Sequence, residues 1–182
     1  MNEAKQILDV WHFDGLLVDP YNSLIKDVTL LKQVGGHEYD YQIASEMRLF
    51  CKENNVTLWL NAHAVTEALR KKHPSGHEFE GLPQPCSMAD VEGGGKWGNR
   101  ADDVISTHRY TQHPTRWMVS DIHVVKVKET ETGGRPTSLD APISLRMQPS
   151  NVAFTVAGRD IINHSKPLPT MIVPNQSPKL AF

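Results

Sequence analysis

Two short apolar runs constrain this chain more than any other feature in it. One is Leu16-Leu17-Val18, ending on Asp19; the other is Val56-Thr57-Leu58-Trp59-Leu60, ending on Asn61-Ala62-His63. Runs of this length without alternation read as buried strands of a parallel sheet. Between them Ile43, Met47 and Phe50 fall on one face of an amphipathic helix over about Asp40–Asn54, preceded by a loop with Gly35-Gly36 at its tip. Strand, helix, strand in this order imply a right-handed crossover and a parallel pair. Asp19 and His63 are therefore expected at the same rim of the sheet, where ligand crevices of open α/β sheets lie. There they could order a Mg²⁺ ion or a water, or could serve as a turn cap and a hydrogen-bonded rim histidine.

The rest of the chain is less regular. Residues 1–12 carry Ala4, Ile7, Leu8 and Trp11 at helical spacing. Residues 64–89 read as a loop-rich excursion, in which Pro74 and Gly76 deny His73 and His77 the helix their spacing would need to hold a metal. Val104–Tyr110 reads as a strand, and Ile122–Lys128 alternates with period two. Glu129–Gly134 is a turn, and Ile143–Met147 and Val152–Val156 form a closing hairpin around Pro149-Ser150-Asn151. Residues 1–160 are expected to form the folded core. The prolines of 161–182 read as an extended or disordered tail.

Charge and cysteine content narrow the function. With a net charge of −2 over 182 residues, any nucleic-acid binding must rest on a local basic patch. Two cysteines without metal-knuckle spacing suit a reducing cytoplasm, and no apolar run approaches the roughly 18 residues of a membrane span. The local patch is Asp90–Arg109, where a triple glycine stands beside Lys96, Trp97, Asn99 and Arg100. Glycines allow close backbone approach, while cations and an indole suit a phosphate backbone and a base. A polar mobile loop before a strand has the same composition. Lys126 and Lys128, on one face of their strand, either reach a phosphate or mark a solvated, guarded edge.

In their order and separation these blocks resemble the second half of the RecA-like motor core of DnaB-type hexameric replicative helicases, a group that includes phage primase-helicases and the mitochondrial Twinkle helicase. Leu16–Asp19 resembles the Walker B strand, and Leu58–His63 the strand ending in a γ-phosphate-sensing residue. Asp90, Gly95, Ala101-Asp102 and Arg109 match the DNA-loop motif. Val125–Lys128 with Gly133-Gly134 matches the Lys-x-Arg strand end that acts on a neighbouring subunit's nucleotide. The likeness spans roughly residues 5–157.

It implies a partial RecA-like α/β fold: parallel strands with a crossover helix, then a mainly antiparallel strand set. It also implies catalytic roles for Asp19 (with Mg²⁺, through water), His63, Lys126 and Lys128, and DNA contacts by Lys96, Trp97, Asn99 and Arg100. The implied partners are single-stranded DNA and a ring of copies, a hexamer in this group, in the cytoplasm of a bacterium or a phage-infected host.

Two departures stand out. Lys128 occupies the arginine-finger position, keeping the charge and losing the bidentate fork. No Gly-x-x-x-x-Gly-Lys-[Ser/Thr] occurs, and the glycine cluster Gly93–Lys96 precedes a strand, whereas a phosphate loop opens a helix. The chain alone is therefore expected to be inactive. ATP and Mg²⁺ would act only once a Walker A-containing half is supplied, in the same protein or by a partner chain. The alternative is a catalytically inactive RecA-like module that binds a partner ATPase or single-stranded DNA. A metal-dependent phosphoesterase built on Asp19 and His63 lacks the usual clusters of Asp, His and Asn at strand ends.

Overall fold

The computed structural model describes residues 1–91, 94–148 and 153–161, the side chain of His37 excepted. Helix α1 (Asn2–Val10) leads to strand β1 (Gly15–Val18), helix α2 (Val28–Asn54) and strand β2 (Thr57–Leu60). The β1–β2 pair is parallel, with Leu16 opposite Leu58 and Leu17 opposite Trp59. After a long excursion come helix α3 (Gly95–Arg100) and the antiparallel meander β3 (Asp103–His108), β4 (Val119–Val127), β5 (Ile143–Met147), β6 (Phe154–Val156) and β7 (Arg159–Asp160). A single helical turn, α4 (Thr130–Gly133), follows β4. The protein is thus mixed α/β, a parallel pair with its crossover helix followed by an antiparallel set. The proline-rich tail, Pro149–Asn151 and the start of the last expected strand lie outside the described residues.

Three elements differ from the sequence expectation. Helix α2 begins at Val28, not near Asp40, because Asp27 caps it by accepting from the backbone N–H groups of Thr29 (2.8 Å) and Leu30 (3.1 Å). Gly35 is a kink within it rather than a loop tip, at φ 78° and ψ 160°, a conformation that suits glycine.

The glycine run is not a loop feeding a strand. Gly95–Arg100 is helical, so the segment does open a helix, of six residues. Its seat is tertiary: the Arg48 guanidinium donates to the Arg100 carbonyl (2.6 Å), and Lys126 Nζ donates to the carbonyls of Gly98 and Ala101 (2.7 Å each).

On β4 the alternation runs opposite to hydrophobicity. Val119, Asp121 and His123 are the buried residues, while Ile122 and Val124 are only half-buried. The polar pair can be inside because Arg116 and Ser144 satisfy Asp121: Arg116 Nη2 lies 2.9 and 2.8 Å from its two oxygens, and Ser144 Oγ donates at 2.6 Å.

The core lies on α2, where Tyr39, Ala44, Met47 and Phe50 are buried, and continues through Tyr21 and Val56. The two sheets are not joined by strand pairing. One face of the parallel pair carries Leu17 at 63% and Trp59 at 59% exposure, neighbours in register. That face is a contiguous apolar surface of the kind that marks an interaction site.

Candidate nucleotide and nucleic-acid interface

Asp19 and His63 leave the parallel pair at the same end. Their approach is fixed by two cross-links between the segments that follow β1 and β2. Asn61 Nδ2 donates to Asp19 Oδ1 (2.5 Å), and the His63 backbone N–H donates to Asn22 Oδ1 (3.2 Å). The Tyr21 N–H bonds to the Asn61 carbonyl at 2.8 Å, closing the two turns into one unit. Both candidate side chains are exposed. A carboxylate beside an imidazole at a strand-end rim can order a hydrated divalent ion and respond to a nearby anion. Among the described residues, no group of three or more His, Cys, Asp or Glu is placed to hold a metal directly. Any ion at Asp19 would therefore keep most of its water, which suits Mg²⁺.

The four residues singled out for DNA do not form one open surface. Lys96 is 9% exposed. Trp97 stands edge-on to Tyr21 with ring centroids 4.6 Å apart, so its indole is part of the packing that joins α3 to the β1 exit. Arg100 lies over the Tyr41 ring at 4.2 Å and donates to that hydroxyl. Asn99 is exposed.

Lys126 and Lys128 converge on the end of this helix. Lys126 holds two of its carbonyls, and Lys128 Nζ pairs with Asp102 at 2.9 Å. Arg48 also reaches Asp102, at 3.1 Å. The ammonium of Lys128, with Arg48 behind it, holds the Asp102 carboxyl below its ordinary value. Of the two lysines, only Lys128 is exposed.

Asp90, the first residue of the glycine-rich stretch, is a structural tie. Its carboxylate accepts from Lys71 Nζ, from the Ser87 N–H (2.7 Å) and from Ser87 Oγ (2.7 Å), while its carbonyl accepts from Val65 N–H (2.8 Å). The Lys71 hydrogen bond, then those from Ser87, lower its pKa from the ordinary 3.8 to about 2.

A folded pKa below the unfolded one means stability that is complete above about pH 5 and drains away as pH falls through 2. The effect is expected to be about 1–2 kcal/mol once screening at the half-exposed Lys71 is allowed for. Urea midpoints at pH 7 and pH 3 should therefore converge for Asp90→Asn and separate for the wild type. Equal pH dependence in both would show that the tie contributes nothing.

Several polar residues escaped the sequence reading. His73 and His77 do not act as a ligand pair; their rings stack at 4.1 Å and 17°. His73 Nε2 bonds to the Tyr110 hydroxyl (2.9 Å), and Phe79 stacks on Tyr110 at 3.9 Å. Arg109, at the end of the DNA-loop motif, donates from Nε to the Trp117 carbonyl (2.5 Å) and braces the β3–β4 connection. The sequence signal was compositional only: five of nine histidines fall between residues 73 and 123.

Fold and rim together define a RecA-like α/β architecture. No protein-family model and no curated protein matches the chain. Among solved structures 31 chains match. One is the ATPase domain of a DnaB-like helicase, which superposes with a TM-score of 0.60 over 85% of this chain at 12% sequence identity. The match takes in 49% of that chain, so this chain spans about half the length of the solved domain. At that identity the likeness shows the fold alone. Among the described residues, no helix is long and apolar enough to cross a membrane.

Proposed function

We propose that the chain contributes the later half of an ATP-driven DNA helicase motor. The observation that carries this reading is the shared rim: Asp19 and His63, cross-linked through Asn61 and Asn22, stand at the same end of a parallel pair in a RecA-like fold. Asp19 would hold the water shell of the Mg²⁺ that accompanies ATP, and His63 would respond to the γ-phosphate. Of the two strand-end cations, Lys128 is the better candidate to act across a subunit interface of the ring, since its partner Asp102 is solvent-accessible. Lys126 is occupied by two carbonyls and acts as a positioning residue for α3. Asn99 and Arg100 would meet the phosphate backbone of single-stranded DNA, with Lys96 and Trp97 holding the helix that presents them.

The exposed Leu17–Trp59 face and the two unjoined sheets favour completion by further strands, from the same protein or a partner chain bearing the phosphate loop. The same face suits an inactive module that docks on an ATPase, the second reading.

The deciding experiment is titration of a labelled single-stranded oligonucleotide at two salt concentrations. Arg100→Ala should weaken binding and reduce the salt slope by about 0.7, the share of one phosphate contact on a single strand. Wild type that fails to bind at low salt, or a variant with an unchanged slope, would overturn the DNA role. Turnover of ATP by the pure chain, abolished by Asp19→Ala, would overturn the need for a second half.

A further inference from the structure

A cleft of about 490 Å³ opens between the 73–79 loop, the start of β4 and the segment 139–144 that enters β5. That volume is in the range of small-molecule sites. It shares no residue with the rim of Asp19 and His63 or with α3. Its walls are flat: the His77 ring lies on His73, and Phe79 lies on Tyr110, with interplanar angles of 17° and 13°.

Its interior is polar and buried. Asp121 is 2% exposed and His123 6%. The His123 ring lines the cleft, yet no described residue hydrogen-bonds to either of its nitrogens, an unusual state for a buried imidazole. Arg116 has committed one amine to Asp121, and its Nε is buried without a partner. Glu78 and Asp140 stand exposed at the mouth.

The chemistry of this lining selects its ligand. Three carboxylates (Glu78, Asp121, Asp140) face one guanidinium that is already paired, so a phosphate or carboxylate inside would be repelled. Stacked ring faces favour a flat heteroaromatic, and the unpartnered His123 and Arg116 Nε require polar ring atoms on it. Carboxylates at the mouth accept hydrogen bonds, as they do from the exocyclic amine of cytosine. A base without an amine offers them nothing and leaves them poorly solvated. We propose that this cleft binds an amino-bearing nucleobase, adenine or cytosine, held against the His77 and Phe79 rings with its amine toward Glu78 and Asp140. The base comes either as a free nucleoside or as an unpaired residue of a strand. The acidic mouth sets this site apart from a triphosphate site, and its failure would leave the motor reading untouched.

Titration of the whole chain with adenosine, cytidine, thymidine and AMP, followed through the histidine ring resonances and by calorimetry, tests it. Adenosine or cytidine should saturate, with thymidine about 10-fold weaker, the discrimination expected for a lost base-edge pair. AMP should bind more weakly than adenosine. The double variant Glu78→Gln/Asp140→Asn, at exposed positions, should erase the preference over thymidine. Adenine oligonucleotides binding more than about 10-fold tighter than adenosine, through the same histidines, would assign the base to a strand; equal affinity per base would assign it to free nucleoside. Thymidine binding as well as adenosine, AMP binding better, or no saturation by any nucleoside would overturn the proposal. The wild-type comparison decides even where the double variant does not fold.

Discussion

Asp121→Ala is expected to lower the folding free energy by about 3 kcal/mol, the low end of what breaking a buried ion pair costs. Asp121 lies midway along β4, opposite His108 on β3 and Ser144 on β5, so its side chain is enclosed by three strands. One substitution removes the acceptor of both the Arg116 amine and the Ser144 hydroxyl and leaves a partly buried guanidinium uncompensated. Arg116 is 29% exposed, which is why the value belongs at the low end. In a domain of this size such a loss lowers the melting temperature by roughly 6–12 °C. Arg116→Met should cost less, because Asp121 keeps the Ser144 bond. The double replacement Asp121→Leu/Arg116→Met should recover more than half of the loss. Urea denaturation of the four proteins checks this, and a loss under about 1 kcal/mol in Asp121→Ala would show that the pair is not balanced as described.

That prediction arises where hydrophobic patterning misled. The alternation of Ile122–Lys128 is real, but the face turned inward carries Asp121 and His123. Periodicity assigns two faces to a strand; which is buried depends on what packs against it, here a histidine-rich loop with its own arginine. The parallel pair was legible because apolar runs bounded by turns have few alternatives. Even so, Leu17 and Trp59 turned out exposed rather than covered. The early start of α2 was available in Asp27 followed by Val28 and Thr29, a capping position masked by attention to Gly35-Gly36.

The candidate site divides in the same way. Asp19 and His63 come together through local rules, strand ends in parallel. The cleft draws on residues from His73 to Ser144, with no spacing that a linear scan could weigh. Helix α3 is a third case: six residues with three glycines nearby have no helical propensity to speak of, and the donors that seat it lie on α2 and β4.

The dependence of α3 on distant donors makes Lys126 the more informative of the two lysines. Its ammonium meets the carbonyls of Gly98 and Ala101, groups at a helix end that need a donor. Hydrogen bonds from a charged group are worth about 1.5–3 kcal/mol, so Lys126→Ala should destabilise the protein by roughly 2 kcal/mol. Lys128→Ala breaks only an exposed pair with Asp102 and should cost under about 0.5 kcal/mol. The functional consequence separates the two further. If α3 presents Asn99 and Arg100 to DNA, Lys126→Ala should reduce single-strand affinity while leaving the salt slope near that of the wild type. Amide exchange across Trp97–Ala101 should speed up in parallel. A slope reduced by about 0.7 would instead mark Lys126 as a phosphate contact. Equal, small stability losses in both variants would mean that the helix is seated by Arg48 alone.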